Sequence, residues 1–128
     1  MSADGLTYDT GALIAAERDD RLVWALHRAA ITRGIPPTVP AGVLAEAWRG
    51  GPQHRVSMLL QGCKIEDLAE LQARRVGELI ARCGLDDAVD VAVAEGAMRR
   101  NDAVVTSNRT HIERVANAVG RRIATHAV

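Results

Sequence analysis

Four short stretches place acids or amides where the surrounding sequence is apolar. "LTYDTGALIA", residues 6–15, sets Asp9 between a strand-like run and the start of a helix. A carboxylate in that place either caps the helix by accepting backbone N–H groups or holds a ligand. "GVLAEAW" carries Glu46 among Val43, Leu44, Ala45, Ala47 and Trp48, and such a glutamate either snorkels to solvent or faces a shared site. "AVDVAVA", residues 88–94, is apolar at every position except Asp90. A helix apolar on all sides is normally buried on all sides, and a carboxylate within it must be hydrogen-bonded, paired or bound to a metal. The alternative at Asp90 is a capping box, with Asp87 as the cap and Asp90 reaching back to it. "VVTSN" ends a buried strand at Thr106, Ser107 and Asn108. Asn108 suits a helix N-cap, and its amide oxygen can also ligate a hard cation.

Carboxylates gathered in one cleft raise each other's pKa unless a cation is shared among them. The donors are all oxygen. Cys63 and Cys83 form no C-x-x-C, and His27, His54, His111 and His126 lack zinc-type spacing, so Mg²⁺, or Mn²⁺ in its place, is the expected ion. Magnesium keeps several waters and takes few protein ligands. Held in this way, a metal activates water and neutralises charge growing on a phosphoryl group, which is the chemistry of phosphodiester hydrolysis.

The elements that must position these groups follow from periodicity and punctuation. A strand over residues 6–9 leads into the helical "ALIAAE", and Asp19 or Asp20 caps a second helix that Gly34 ends. Pro36, Pro37 and Pro40 restrict "IPPTVP" to a brief strand. Helices follow in "AGVLAEAWR" and "QHRVSMLLQG", then a strand in "CKIEDL" and an amphipathic helix from Ala69 to Arg82. A helix over "DDAVDVAVAEGAMRR", a strand over "DAVVT", a helix over "RTHIERVANAV" and a strand over "RRIATHA" complete the chain. Strands separated by helices predict an α/β fold: a mostly parallel sheet of four to five short strands covered on both faces, in one domain over residues 1–128. In such sheets ligands bind beyond the carboxyl ends of the strands, where Asp9, Thr106, Ser107 and Asn108 belong.

Composition narrows the partners. With no Phe, one Tyr (Tyr8) and two Trp (Trp24 and Trp48), aromatic platforms for stacking bases are excluded, and the core must be Ala, Val, Leu and Ile. Sixteen basic and 16 acidic residues cancel, so an anionic partner must be held locally rather than drawn by a global field. A basic segment followed by an apolar one is not seen at the start, no run reaches membrane-spanning length, and the cysteines read as packing residues; a cytoplasmic protein is expected.

Taken in order, these stretches resemble the motifs of PIN-domain ribonucleases of the VapC toxin type. "YDTGALIA" is similar to the first motif, "VPAGVLAEAW" to the second, "DVAVAEGA" to the third and "VVTSN" to the fourth, so the likeness spans nearly the whole chain. It departs at Asn108, where the family usually has Asp; Asp86 or Asp87, before the same helix as Asp90, are candidates to compensate. The resemblance implies a PIN-like three-layer sandwich and a hydrolase: a Mg²⁺-dependent endoribonuclease that cleaves single-stranded regions of structured RNA, such as tRNA or rRNA, leaving a 5′-phosphate and a 3′-hydroxyl. It also implies a homodimer and a cognate antitoxin whose C-terminal segment occupies the active-site groove. Asp9 and Asp90 are then direct metal ligands, Glu46 is a ligand or orients the attacking water, and Asn108 helps through its amide oxygen. Thr106 and Asp87 are auxiliary, Thr106 holding a carboxylate or a metal-bound water. Arg18, Arg49, Arg55 and Arg109 are candidates to touch RNA phosphates, against the plainer reading of solvated arginines.

Two other readings stay open. A PIN-like module that has lost catalysis would bind an antitoxin or RNA without cleaving it. A phosphoacceptor domain would also cluster acids at strand ends, but it needs a lysine at the end of its last strand, and the one lysine, Lys64, lies mid-chain.

Overall fold

A computed structural model describes residues 3–128. The chain runs β1 (Gly5–Tyr8), α1 (Thr10–Glu17), α2 (Arg21–Thr32), β2 (Thr38–Pro40), α3 (Ala41–Ala47), α4 (His54–Gln61), β3 (Lys64–Glu66), α5 (Glu70–Cys83), α6 (Ala88–Arg100), β4 (Asp102–Thr106), α7 (Arg109–Ala118) and β5 (Thr125–Ala127). All the strand pairs are parallel, in the order β3-β2-β1-β4-β5. The chain steps outward from β1 to β3, then returns to β4 on the other side of β1. The reversal falls between β1 and β4, held in register by Tyr8 opposite Val105, and ligands of such sheets bind beyond the carboxyl ends of the strands at that point. Helices α1 to α4 pack together on one face, and α5, α6 and α7 on the other.

The two central strands are buried at every residue, as a sheet covered on both faces requires. Their core is aliphatic, with Leu13, Val39, Val91, Val104 and Ile112 almost fully enclosed. Tyr8 is also enclosed, and its hydroxyl meets His27 Nδ1 at 2.8 Å. Caps set several helix boundaries: Asp20 accepts from Val23 N–H at α2, and Asp87 accepts from Val89 and Asp90 N–H at α6. Gly84 closes α5 at φ 68°, a conformation that favours glycine.

Two expected boundaries move. The last strand is confined to Thr125–Ala127 rather than spanning "RRIATHA". Arg121 N–H is used on Ala116 C=O to close the turn after α7, and pairing with β4 begins where Val104 N–H reaches Ala124 C=O. The strand expected in "CKIEDL" is limited to Lys64–Glu66, matching the three residues that its neighbour β2 offers.

Candidate active site

Asp9 leaves the end of β1 and is 5% exposed. Oδ1 accepts the Ala12 N–H at 3.0 Å, so the cap is real. Oδ2 accepts a hydrogen bond from the Thr106 hydroxyl, so Thr106, at the end of neighbouring β4, holds the carboxylate. Thr106 Oγ1 also accepts the Asn108 N–H at 2.8 Å, which fixes the turn from β4 into α7. Gly11 is required for this closure: a Cβ there would stand 2.1 Å from Ser107 Oγ.

Asp90 stands in the first turn of α6, with its side chain 21% exposed. The expectation of enclosure on all sides is corrected, because Ala88 is exposed, Val89, Asp90 and Ala92 are partly exposed, and the unbroken buried run is Val93 to Met98. Its carboxylate does not complete a capping box; Asp87 alone caps the helix, and Asp90 Oδ2 lies 2.7 Å from His111 Nδ1. Asp9 feels Asp90. Burial first, and then the Asp90 charge, push the Asp9 carboxyl above its ordinary range against the hydrogen bonds from Thr106 and Ala12. A cation near both carboxylates would offset the charge that disfavours ionisation of Asp9.

Glu46 is exposed on α3 and bound through Oε1 to the Thr10 hydroxyl at 2.5 Å, one residue from Asp9. That bond sets Glu46 beside the residue that follows Asp9. Among the described residues no three His, Cys, Asp or Glu side chains form a metal-holding group. The donors present still fit magnesium, which is commonly held by one or two carboxylates, waters and substrate phosphates rather than an all-protein cage.

Asn108 occupies the N-cap position of α7, but its side chain caps nothing. Its amide instead lies 2.7 Å from His111 Nδ1. His111 is the residue that sequence reasoning missed. The signal available was weak, since only its place three residues beyond Asn108, on the same helical turn, put it near the site. Of the arginines, Arg109 starts α7 at the active end, with Nε on Thr125 Oγ1 at 3.0 Å. Arg49 lies just past α3 and donates to Ala45 and Trp48 carbonyls. Arg18 and Arg55 gather at the other end of α1, about 12 Å along the helix from Asp9, where Arg55 donates to Glu17 C=O. Lys64 opens an edge strand and ends none.

No protein-family model matches the sequence, and no curated protein matches it. A solved structure does match: a chain in the crystal structure of VapBC2 from Rickettsia felis bound to a DNA fragment from their promoter. The TM-score is 0.73 at 17% sequence identity, covering 96% of this chain and 98% of that one. The fold is PIN-like. In this PIN-like sandwich the parallel sheet, the helices on both faces and the strand reversal stand as the sequence predicts. Among the described residues no helix is long and apolar enough to cross a membrane.

Proposed function

We propose that the chain is a magnesium-dependent endoribonuclease, the toxin of a toxin–antitoxin pair, cutting single-stranded regions of a structured RNA such as tRNA or rRNA. The observation that carries this reading is the run of hydrogen bonds that joins buried Asp9 through Thr106, Asn108 and His111 to Asp90, whose charge acts on Asp9. Asp9 and Asp90 would hold Mg²⁺, or Mn²⁺ in its place, with Glu46 and Asn108 as further oxygen donors. When bound, the cation would lower the pKa of a water and offset negative charge on the phosphoryl oxygens. Thr106 and the Ala12 N–H keep Asp9 from turning away, and Glu46, bound to Thr10, would orient the attacking water. Attack on phosphorus breaks the bond to the 3′ oxygen and leaves a 5′-phosphate and a 3′-hydroxyl. The likeness to a chain of the VapBC2 complex supports an antitoxin partner. A homodimer in the cytoplasm belongs to the same proposal.

The test is RNA cleavage by purified protein with Mg²⁺. Asp9→Ala and Asp90→Ala should abolish cutting while circular dichroism stays unchanged; cutting equal to the parent's would refute the reading. The second reading, a module that docks an antitoxin or RNA without cleaving, draws on the absence of a three-acid group among the described residues. Calorimetric titration separates the two, because a nuclease must bind Mg²⁺ and a docking module need not.

A further inference from the structure

His111 has no role in the proposed reaction, yet it touches two of the residues assigned to it. It sits in the first turn of α7, with Nδ1 2.7 Å from Asp90 Oδ2 and 2.7 Å from the Asn108 amide. A ring nitrogen carries either one hydrogen or one lone pair. A bare Nδ1 could accept from the Asn108 amide, but it would then face the ionised Asp90 oxygen lone pair to lone pair. A protonated Nδ1 can be shared between two oxygens, Asp90 Oδ2 and, with the amide turned, Asn108 Oδ1. Both contacts are attractive only in that arrangement.

Asp9 and Asp90 are held differently. Both oxygens of Asp9 are engaged, by Thr106 and by the Ala12 N–H. Asp90 has, among the described residues, His111 as its one side-chain partner, which leaves Oδ1 open. We propose that His111 is the positioning residue of Asp90: its Nδ1–H pins Oδ2, ties Asn108 to the same hydrogen, and leaves Oδ1 free for a divalent cation. The imidazole moves no proton in this role. It supplies the outer support that a carboxylate ligand needs to keep its orientation, and loss of such support typically weakens metal binding about 10- to 100-fold. The inference rests on the nuclease reading, because the freed oxygen matters only if a cation binds there.

Two measurements test it. In the metal-free protein, the ¹⁵N spectrum of the His111 ring should show a protonated Nδ1, and Asp90→Ala should release the ring to the Nε2–H form. In calorimetric titration with Mn²⁺, His111→Ala should weaken binding by about tenfold or more. His111→Asn, whose amide N–H falls close to the place of Nδ1–H, should recover most of that loss. A bare Nδ1 in the parent, unaltered affinity in His111→Ala, or no rescue by His111→Asn would each overturn this role alone. A parent that binds no divalent cation would overturn the nuclease reading and this role together.

Discussion

Thr106 stabilises a carboxylate that burial disfavours. Replacing it with Val leaves Asp9 Oδ2 without its donor and the Asn108 N–H without its acceptor, a loss of about 1–3 kcal/mol near pH 7 by chemical denaturation. The sign with pH follows from Asp9. Its folded pKa is already above the ordinary 3.8, and loss of a bond that lowers it pushes it higher still. The gap between parent and variant should therefore be largest above both folded pKa values and narrow as pH falls below the parent's, where Asp9 is protonated in both folded proteins, leaving only the share due to the Asn108 N–H. A gap independent of pH would mean that the hydroxyl acts only on the turn. Gly11→Ala tests the same corner sterically: the new Cβ meets Ser107 Oγ and Cβ, so a loss of about 1–3 kcal/mol is expected, and Ser107→Gly should return part of it. Asn108→Asp, measured by calorimetry, should tighten Mg²⁺ binding; unchanged affinity would leave Asn108 with only its link to His111. The strand-end positions Asp9 and Thr106 were legible in sequence because an abrupt stop in apolar sequence marks the cleft. His111 was not, because its contact with Asp90 exists only once α6 packs on α7.

At the scale of elements, the long amphipathic or apolar helices α5 and α6 were readable from their patterns, whereas the short edge strands β3 and β5 depend on what their neighbours leave unpaired. What ties edge strand β3 to the α6 face is ionic. Glu66 takes Arg99 at 2.6 Å and Arg100 at 2.8 Å, while Arg99 also holds buried Glu95 and Arg100 holds buried Asp102. The hydrogen bond from Arg99, first of all, keeps the Glu66 carboxyl below its ordinary 4.5, against the opposing effect of burial. A depressed acid contributes stability above its unfolded pKa and loses it as pH falls through the folded value. Glu66→Gln should cost about 1–2 kcal/mol at pH 7, since the group is partly solvated. In thermal melts against pH, the parent should converge on the variant below about pH 4.5. Curves that stay parallel well below pH 4.5, through the range where the folded carboxyl protonates, would show that shape, not charge, fastens β3. The network was hard to read in sequence because Glu66 and Arg99 are brought together by the crossover between them.

At the scale of the molecule, the sheet reversal delivers one cleft while the overall charge stays neutral, and these two facts bear together on how RNA would be held. Sixteen basic and 16 acidic residues give no net field, so the affinity must come from arginines standing near the aspartates. The fold separates the candidates. Arg109 begins α7 at the carboxyl end of the sheet, whereas Arg18 and Arg55 lie at the far end of α1, with Arg55 already engaged by Asp19 and the Glu17 carbonyl, and Arg49 is bonded to Gln53, which with Ala47 lines a hollow beside Glu17 and Arg18. If a short single-stranded segment meets only Arg109, log K should fall against log salt with a slope of roughly −0.7, about −0.7 for each phosphate contact. Arg109→Ala should reduce that slope by about 0.7, and Arg18→Ala should leave it unchanged. The measurement is RNA binding by the inactive Asp90→Ala variant across a salt series, with Ca²⁺ in place of Mg²⁺. A slope near −3, falling equally when Arg18 or Arg55 is removed, would require the RNA to run the length of α1 and would place all four arginines on its path.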